Sequence, residues 1–139
     1  MTRASPARRC ATGTLSGERR GARFAGYAAL FDRVDRGGDV VRRGAFARAI
    51  GTEVPLLSEH RPGVRIGRVA VVGEDRRGLR VIAQASPGVA VAAGMGLSFG
   101  YRVRRSSGAG PRQLFEVDLL EVSLVRVPMQ ALARVDVIY

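Results

Sequence analysis

From Arg23 to Tyr139 the chain is a succession of short strand-like runs, each closed by glycine, proline or aspartate. Only two weak helical stretches interrupt them. A chain of this kind has no long helix to lay over a sheet, so its core must form by curling the sheet on itself. The expected fold is mainly β: a closed or nearly closed antiparallel β-barrel with one or two short helices.

The first run, Arg23 to Phe31, ends in an Asp/Gly loop from Asp32 to Asp39. Gly44 to Ile50 has the composition for about two helical turns, with Phe46 and Ile50 four apart on one face. Strand candidates follow at Val54 to Ser58, Val64 to Val72 and Leu79 to Ala85. The polar stretch Gly73 to Gly78 suits a hairpin between the last two. Ser86-Pro87 offers an N-cap with proline behind it, so Gly88 to Ala93 is expected to form a short helix. Gly96 to Arg104 alternates, with Leu97, Phe99, Tyr101 and Val103 on one face and Ser98, Gly100 and Arg102 on the other. The glycines beside Ser98 are expected to leave room for a substrate chain. Gln113 to Val117 and Leu119 to Val127 read as two strands, the second stopped by Pro128, and Val135 to Tyr139 as an edge strand. Residues 1–22 are rich in Arg, Ser, Gly and Ala without apolar periodicity and read as a flexible basic arm ahead of one domain, 23–139.

Composition narrows the function classes. At 139 residues the chain suits one domain with a real core. The longest apolar stretch, Val89 to Leu97, is too short to span a bilayer, and no secretory signal is visible. One cysteine, Cys10, cannot close an internal disulfide, which points to a reducing cytosol. Cys10 lies in the arm, far from any organised base, so it does not read as a nucleophile. The net charge of +11 comes wholly from arginine. Those arginines are scattered and not interleaved with stacking aromatics, so nucleic-acid binding is not the primary expectation. Asp32, Asp35 and Asp39 lack the ligand rhythm of a calcium loop and read as turn residues paired with Arg33 and Arg36.

Three chemistry-bearing residues fall in separate strand-like segments. His60, the sole histidine, follows Val54-Pro55-Leu56-Leu57-Ser58-Glu59; Ser98 lies between Gly96 and Gly100; Glu121 opens Glu121-Val122-Ser123-Leu124-Val125. A serine hydroxyl attacks poorly at neutral pH unless an imidazole takes its proton and a third group orients the ring. On residue type alone, His60 also fits a structural histidine, and Glu116 and Asp118 compete with Glu121. Gly96-Leu97-Ser98-Phe99-Gly100 has the spelling of a nucleophile elbow but lacks the strand-to-helix turn and βαβ alternation that such an elbow requires.

Taken in order, a set of blocks carries a resemblance. Phe24-x-Gly26-Tyr27-Ala28, Phe31-Asp32, Gly38-Asp39-Val40-Val41 and Gly44-Ala45-Phe46 come first. Leu56-Leu57-x-x-His60, Ile66-Gly67 and Gly78-Leu79 follow. Gly96-Leu97-Ser98-Phe99-Gly100-Tyr101 and Val117-Asp118-Leu119-x-Glu121-Val122-Ser123-Leu124-Val125-x-x-Pro128 complete the series. From Arg23 to Ala133 the chain resembles the tailed-phage prohead maturation proteases, serine endopeptidases related to the herpesvirus assemblins. The resemblance implies a β-barrel, no cofactor or metal, and action inside the assembling prohead in the bacterial cytoplasm. It implies cleavage of scaffold or of the scaffold-like arm of the major capsid protein, self-cleavage, and a homo-oligomer. It assigns Ser98 as nucleophile, His60 as base and Glu121 as third member; on the residues themselves Asp118 is the runner-up to Glu121, and Arg126, near the end of the same strand, is the candidate oxyanion donor.

Two departures accompany it. The segment between Ala85 and Ser98 is shorter than in the family, which affects any dimer interface built from helices there. The chain also stops soon after the Pro128 block, which fits a gene transfer agent version. The competing expectation is a non-catalytic basic β-barrel that binds capsid, scaffold or nucleic acid as an assembly factor.

Overall fold

A computed structural model describes residues 21–108 and 110–139; the expected basic arm and Cys10 lie almost wholly outside them. Eight strands form one curled sheet: β1 (Arg23–Leu30), β2 (Asp39–Val41), β3 (Glu53–Ser58), β4 (Arg65–Glu74), β5 (Gly78–Ala85), β6 (Gly96–Ser107), β7 (Arg112–Val125) and β8 (Val135–Ile138). The order is β2-β7-β3-β4-β5-β1-β8, with β6 on the other side of β7. The sheet is a half-barrel, open rather than closed. Its two ends touch at one corner, where Leu97 N–H donates to Ala133 O at 2.8 Å and Gly96 bridges Arg134.

The mainly β expectation stands, with corrections to its details. The sheet is mixed, because β2 and β3 both run parallel to β7. Gly44 to Ile50 gives only one 3-10 turn, Ala47–Ala49, flanked by left-handed Gly44 and Gly51. Three residues per turn take Ile50 off the Phe46 face, so Phe46 is buried while Ile50 is 45% exposed. Gly88 to Ala93 forms no helix. Gly88 at φ +89° breaks the first turn, leaving a single Val89 N–H to Ser86 O bond. The two strands expected around Asp118 are one strand, β7, which follows β6 through register shifts between Gly100 and Ser106.

The core lies on the inner face of the curl. Phe24, Leu56, Val69, Leu79, Val81, Leu97, Val122 and Leu114 are fully buried there. Phe46 meets Phe99 edge-on, with ring centroids 5.2 Å apart, in the first third of β6. Leu97 and Phe99 thus point inward, opposite Leu124 and Val122 of β7, and Ser98 and Gly100 point the other way. Inward packing of its neighbours fixes the outward direction of Ser98.

The Asp/Gly loop is held differently from expectation. Asp35 Oδ1 accepts the Gly37 and Asp39 N–H groups, which does shape the turn. Asp32 pairs with Arg42 at 2.7 Å, and Asp39 receives a two-pronged bond from Arg112, both N–O distances 2.9 Å. Arg33 and Arg36 are not the partners, because folding brings β2 beside the start of β7 and delivers Arg112 instead.

Candidate active site

The site is assembled where β3, β6 and β7 run side by side. In register, Leu57 of β3 faces Ser123 of β7, and Ser123 in turn faces Ser98 of β6. After Ser58 the chain leaves the sheet through Glu59 and His60, both left-handed, at φ +51° and +60°. Such backbone costs roughly 1–3 kcal/mol per non-glycine residue and persists only where the surroundings enforce it. Here they do. Glu59 N–H donates to Leu124 O at 3.0 Å, Arg61 N–H to Ser58 O, and His60 N–H to Ser123 Oγ at 3.0 Å. The turn therefore doubles back over the outer face of β7 and carries the His60 ring with it.

His60 Nδ1 lies 2.6 Å from Glu121 Oε2. An ionised carboxylate can only accept, so the proton of the neutral ring sits on Nδ1 and Nε2 keeps its lone pair. The other carboxylate oxygen, Glu121 Oε1, accepts the Ser123 hydroxyl at 2.7 Å. Ser123 thus joins three groups: it receives the His60 backbone N–H and donates to the acid that holds the His60 side chain. Glu121 is 12% exposed and His60 40%, which gives a sheltered acid under an accessible ring.

Ser98 shares this face. A Cβ on Gly100 would fall 2.7 Å from Glu121 Cδ, so the carboxylate rests directly over Gly100, two residues along β6 from Ser98. Residues two apart on a strand project from the same face about 6.6 Å apart. Directly opposite Ser98, Ser123 has its Cβ about 5 Å away. Ser98 is 4% exposed, and its hydroxyl makes no hydrogen bond among the described residues. The imidazole and this hydroxyl lie on one face without touching.

The competing acids are committed elsewhere. Asp118 is within 3.5 Å of Arg48, Arg102 and Arg104. Burial pushes its carboxyl up, but the Arg104 hydrogen bond and the charges of all three arginines outweigh it and hold it below the usual range. Glu116 pairs loosely with Arg48 at 3.8 Å. Arg126 lies just past the end of β7 with an exposed side chain, and its backbone N–H donates to Glu59 Oε2 at 2.9 Å.

The roles of two residues of the site were not read from sequence. Ser123 was visible only as a face-mate of Glu121. Gly100 was expected, with Gly96, to open space for a substrate, and neither does. The Gly100 space holds the Glu121 carboxylate, and that beside Gly96 is taken by Val125 O and the Pro128 ring, 2.7 and 2.9 Å from where a Cβ would stand. No cluster of His, Cys, Asp and Glu among the described residues could hold a metal ion, and no helix among them is long and apolar enough to cross a membrane.

The sequence is 30% identical to the prohead protease of Enterobacteria phage HK97 over a 96-residue alignment, which covers 59% of this chain and 43% of that relative. The chain therefore spans less than half the length of the relative it matches. The family model described as caudovirus prohead serine protease matches residues 11–139, nearly the whole chain, including β3, β6 and β7 with the His60, Ser98 and Glu121 positions. With a match of that extent, the chain belongs to the caudovirus prohead serine protease family.

Proposed function

We propose that this chain is a serine endopeptidase of capsid maturation in which Ser98 is the nucleophile, His60 the general base and Glu121 the orienting acid. The observation that carries the reading is the 2.6 Å contact between His60 Nδ1 and Glu121 Oε2 on the face from which Ser98 projects. His60 Nε2 takes the Ser98 proton as Oγ attacks the scissile carbonyl. The imidazolium then returns that proton to the leaving amine as the C–N bond breaks. Water repeats the sequence to release the acyl group. Glu121 keeps the ring in the productive tautomer and offsets its positive charge. The exposed Arg126 guanidinium is the candidate donor to the oxyanion.

Family membership supports scaffold and the major capsid protein as substrates, and the interior of the assembling prohead as the place of action. Self-cleavage and self-association belong to the same reading.

The test is labelling with a serine-directed fluorophosphonate, combined with co-expression of the cognate capsid protein. The proposal expects Ser98-dependent labelling and Ser98-dependent shortening of the capsid protein. Capsid protein cleaved equally by Ser98→Ala would sink it. Salt-sensitive nucleic-acid binding with no labelling would favour the assembly-factor alternative.

A further inference from the structure

Beside the candidate catalytic groups lies a cavity of 250 Å³ whose walls are Ile66, Val89, Ala90, Met95, Leu124 and Val125. We propose that it is the subsite for one aliphatic side chain of the peptide substrate, and that the segment from Ser86 to Met95 sets its size. The inference rests on the reading of Ser98 and His60 given above.

Position is the first support. Leu124 and Val125 directly follow Ser123, and they pair with Leu97 and Gly96, the two residues before Ser98. The cavity is also lined by Glu59, next to His60. Its lining includes the last residues of β3 and β7 and the residue before β6, so it lies at the same end of these strands as His60 and Ser98.

Its chemistry is the second support. Most of the lining is apolar, five aliphatic side chains and the Met95 thioether, with Ser58, Glu59 and Arg126 as its polar members. Its two charged members have opposite sign and are adjacent, since Glu59 Oε2 accepts the Arg126 backbone N–H at 2.9 Å, so the lining carries no net charge to select a charged side chain. The volume is below the roughly 300–1,000 Å³ of sites that enclose a whole small molecule, and suits one residue of a longer chain.

The wall formed by Ser86 to Met95 is pinned at both ends. Ser86 N–H donates to Ile66 O and Gly94 N–H to Val135 O, each at 2.8 Å. Between these anchors the chain turns at Gly88 and Gly94, with φ +89° and +90°, and carries Val89 and Ala90 to the cavity. An anchored loop can discriminate by size, because its side chains cannot retreat from a bulky substrate.

The experiment digests a proteome-derived peptide library with the full-length protein and reads the cleaved sites by mass spectrometry, with Ser98→Ala as background. Val, Leu, Ile or Met should be enriched at one fixed position beside the scissile bond. Ala90→Phe should narrow the cavity and shift that position alone toward Gly, Ala and Ser, changing relative kcat/KM about 10- to 100-fold. Met95→Ala should shift it toward larger apolar residues and stands as the test should Ala90→Phe fail to fold. Ser98-dependent cleavage with no aliphatic position, with an acidic preference there, or with a profile unmoved by either variant overturns the subsite and leaves Ser98 in place. Absence of both fluorophosphonate labelling and Ser98-dependent cleavage overturns the reading of Ser98, and the subsite with it.

Discussion

The Glu121 carboxylate occupies the volume that any Cβ at position 100 would claim, so the absence of a side chain on β6 is what lets the acid lie flat and reach His60. Gly100→Ala is expected to push the carboxylate aside while leaving the inward-facing core intact. A displacement of about 1 Å costs on the order of 100-fold in turnover. The check is kcat for peptide cleavage alongside the thermal midpoint: activity should collapse while the midpoint moves only slightly.

Ser98, His60 and Glu121 should behave as a unit when altered singly. Ser98→Ala and His60→Ala are each expected to lower turnover by about a millionfold. Glu121→Gln keeps the size of the side chain but no longer enforces the Nδ1–H tautomer, and should cost about 10⁴-fold. The double variant Ser98→Ala/His60→Ala should be little worse than either single change. Additive losses measured by single-turnover kinetics would contradict a shared proton-transfer step.

Ser123→Ala removes a hydroxyl that satisfies two groups at once, the His60 N–H and Glu121 Oε1. Leaving such buried partners unmade costs roughly 1–3 kcal/mol. The turn that holds His60 in left-handed backbone should loosen. Urea unfolding should report the stability loss, and turnover should fall about tenfold with KM nearly unchanged, because the ring is mispositioned rather than removed.

These residues also mark where the sequence was readable and where it was not. The β4–β5 hairpin was legible because both strands alternate and Asp75 Oδ1 sits in the turn accepting the Arg77 and Gly78 N–H groups. The inward direction of Leu97 and Phe99 followed from period-two alternation alone. Asp118 misled, since a charged residue in mid-strand looks like a break until three arginines close around it. The parallel pairing of β3 with β7 joins residues more than sixty positions apart, and no local pattern encodes that. For the same reason the roles of Ser123 and Gly100 were hidden: each depends on which strand lies alongside, not on its own neighbours. Helix propensity at Gly44 to Ile50 and Gly88 to Ala93 yielded to flanking left-handed glycines.

Asp39 anchors the start of β2 through Arg112 and Tyr101. The Arg112 hydrogen bond leads in holding its carboxyl below the ordinary range, against the upward push of burial and with help from Tyr101. A carboxyl depressed in the fold adds stability that is fully present above its unfolded pKa, about 3.9, and is lost as pH falls through the lower folded value. Asp39→Asn should lower the thermal midpoint at pH 7 by on the order of 5 °C. The gap from the parent should shrink as both are acidified, a trend calorimetry can follow.

Tyr101 should govern the opposite end of the pH range. Burial first, then its 2.9 Å hydrogen bond to Asp39, pushes the phenol up to about 12. A phenol raised in the fold stabilises the native state fully below its unfolded pKa of about 10, and that contribution disappears as pH climbs from there through the folded value. The parent should therefore lose stability steeply between about pH 10 and 12. Tyr101→Phe keeps the ring that stacks on Phe99 at 4.7 Å and removes the titrating proton, so its midpoint should be lower at neutral pH but flatter across the alkaline range. Tyr27, raised by its hydrogen bond to Asp75, contributes a residual slope of the same sign. Tyr27→Phe/Tyr101→Phe should accordingly be the flattest of all, and an unchanged alkaline slope in that double variant would mean the loss has another source.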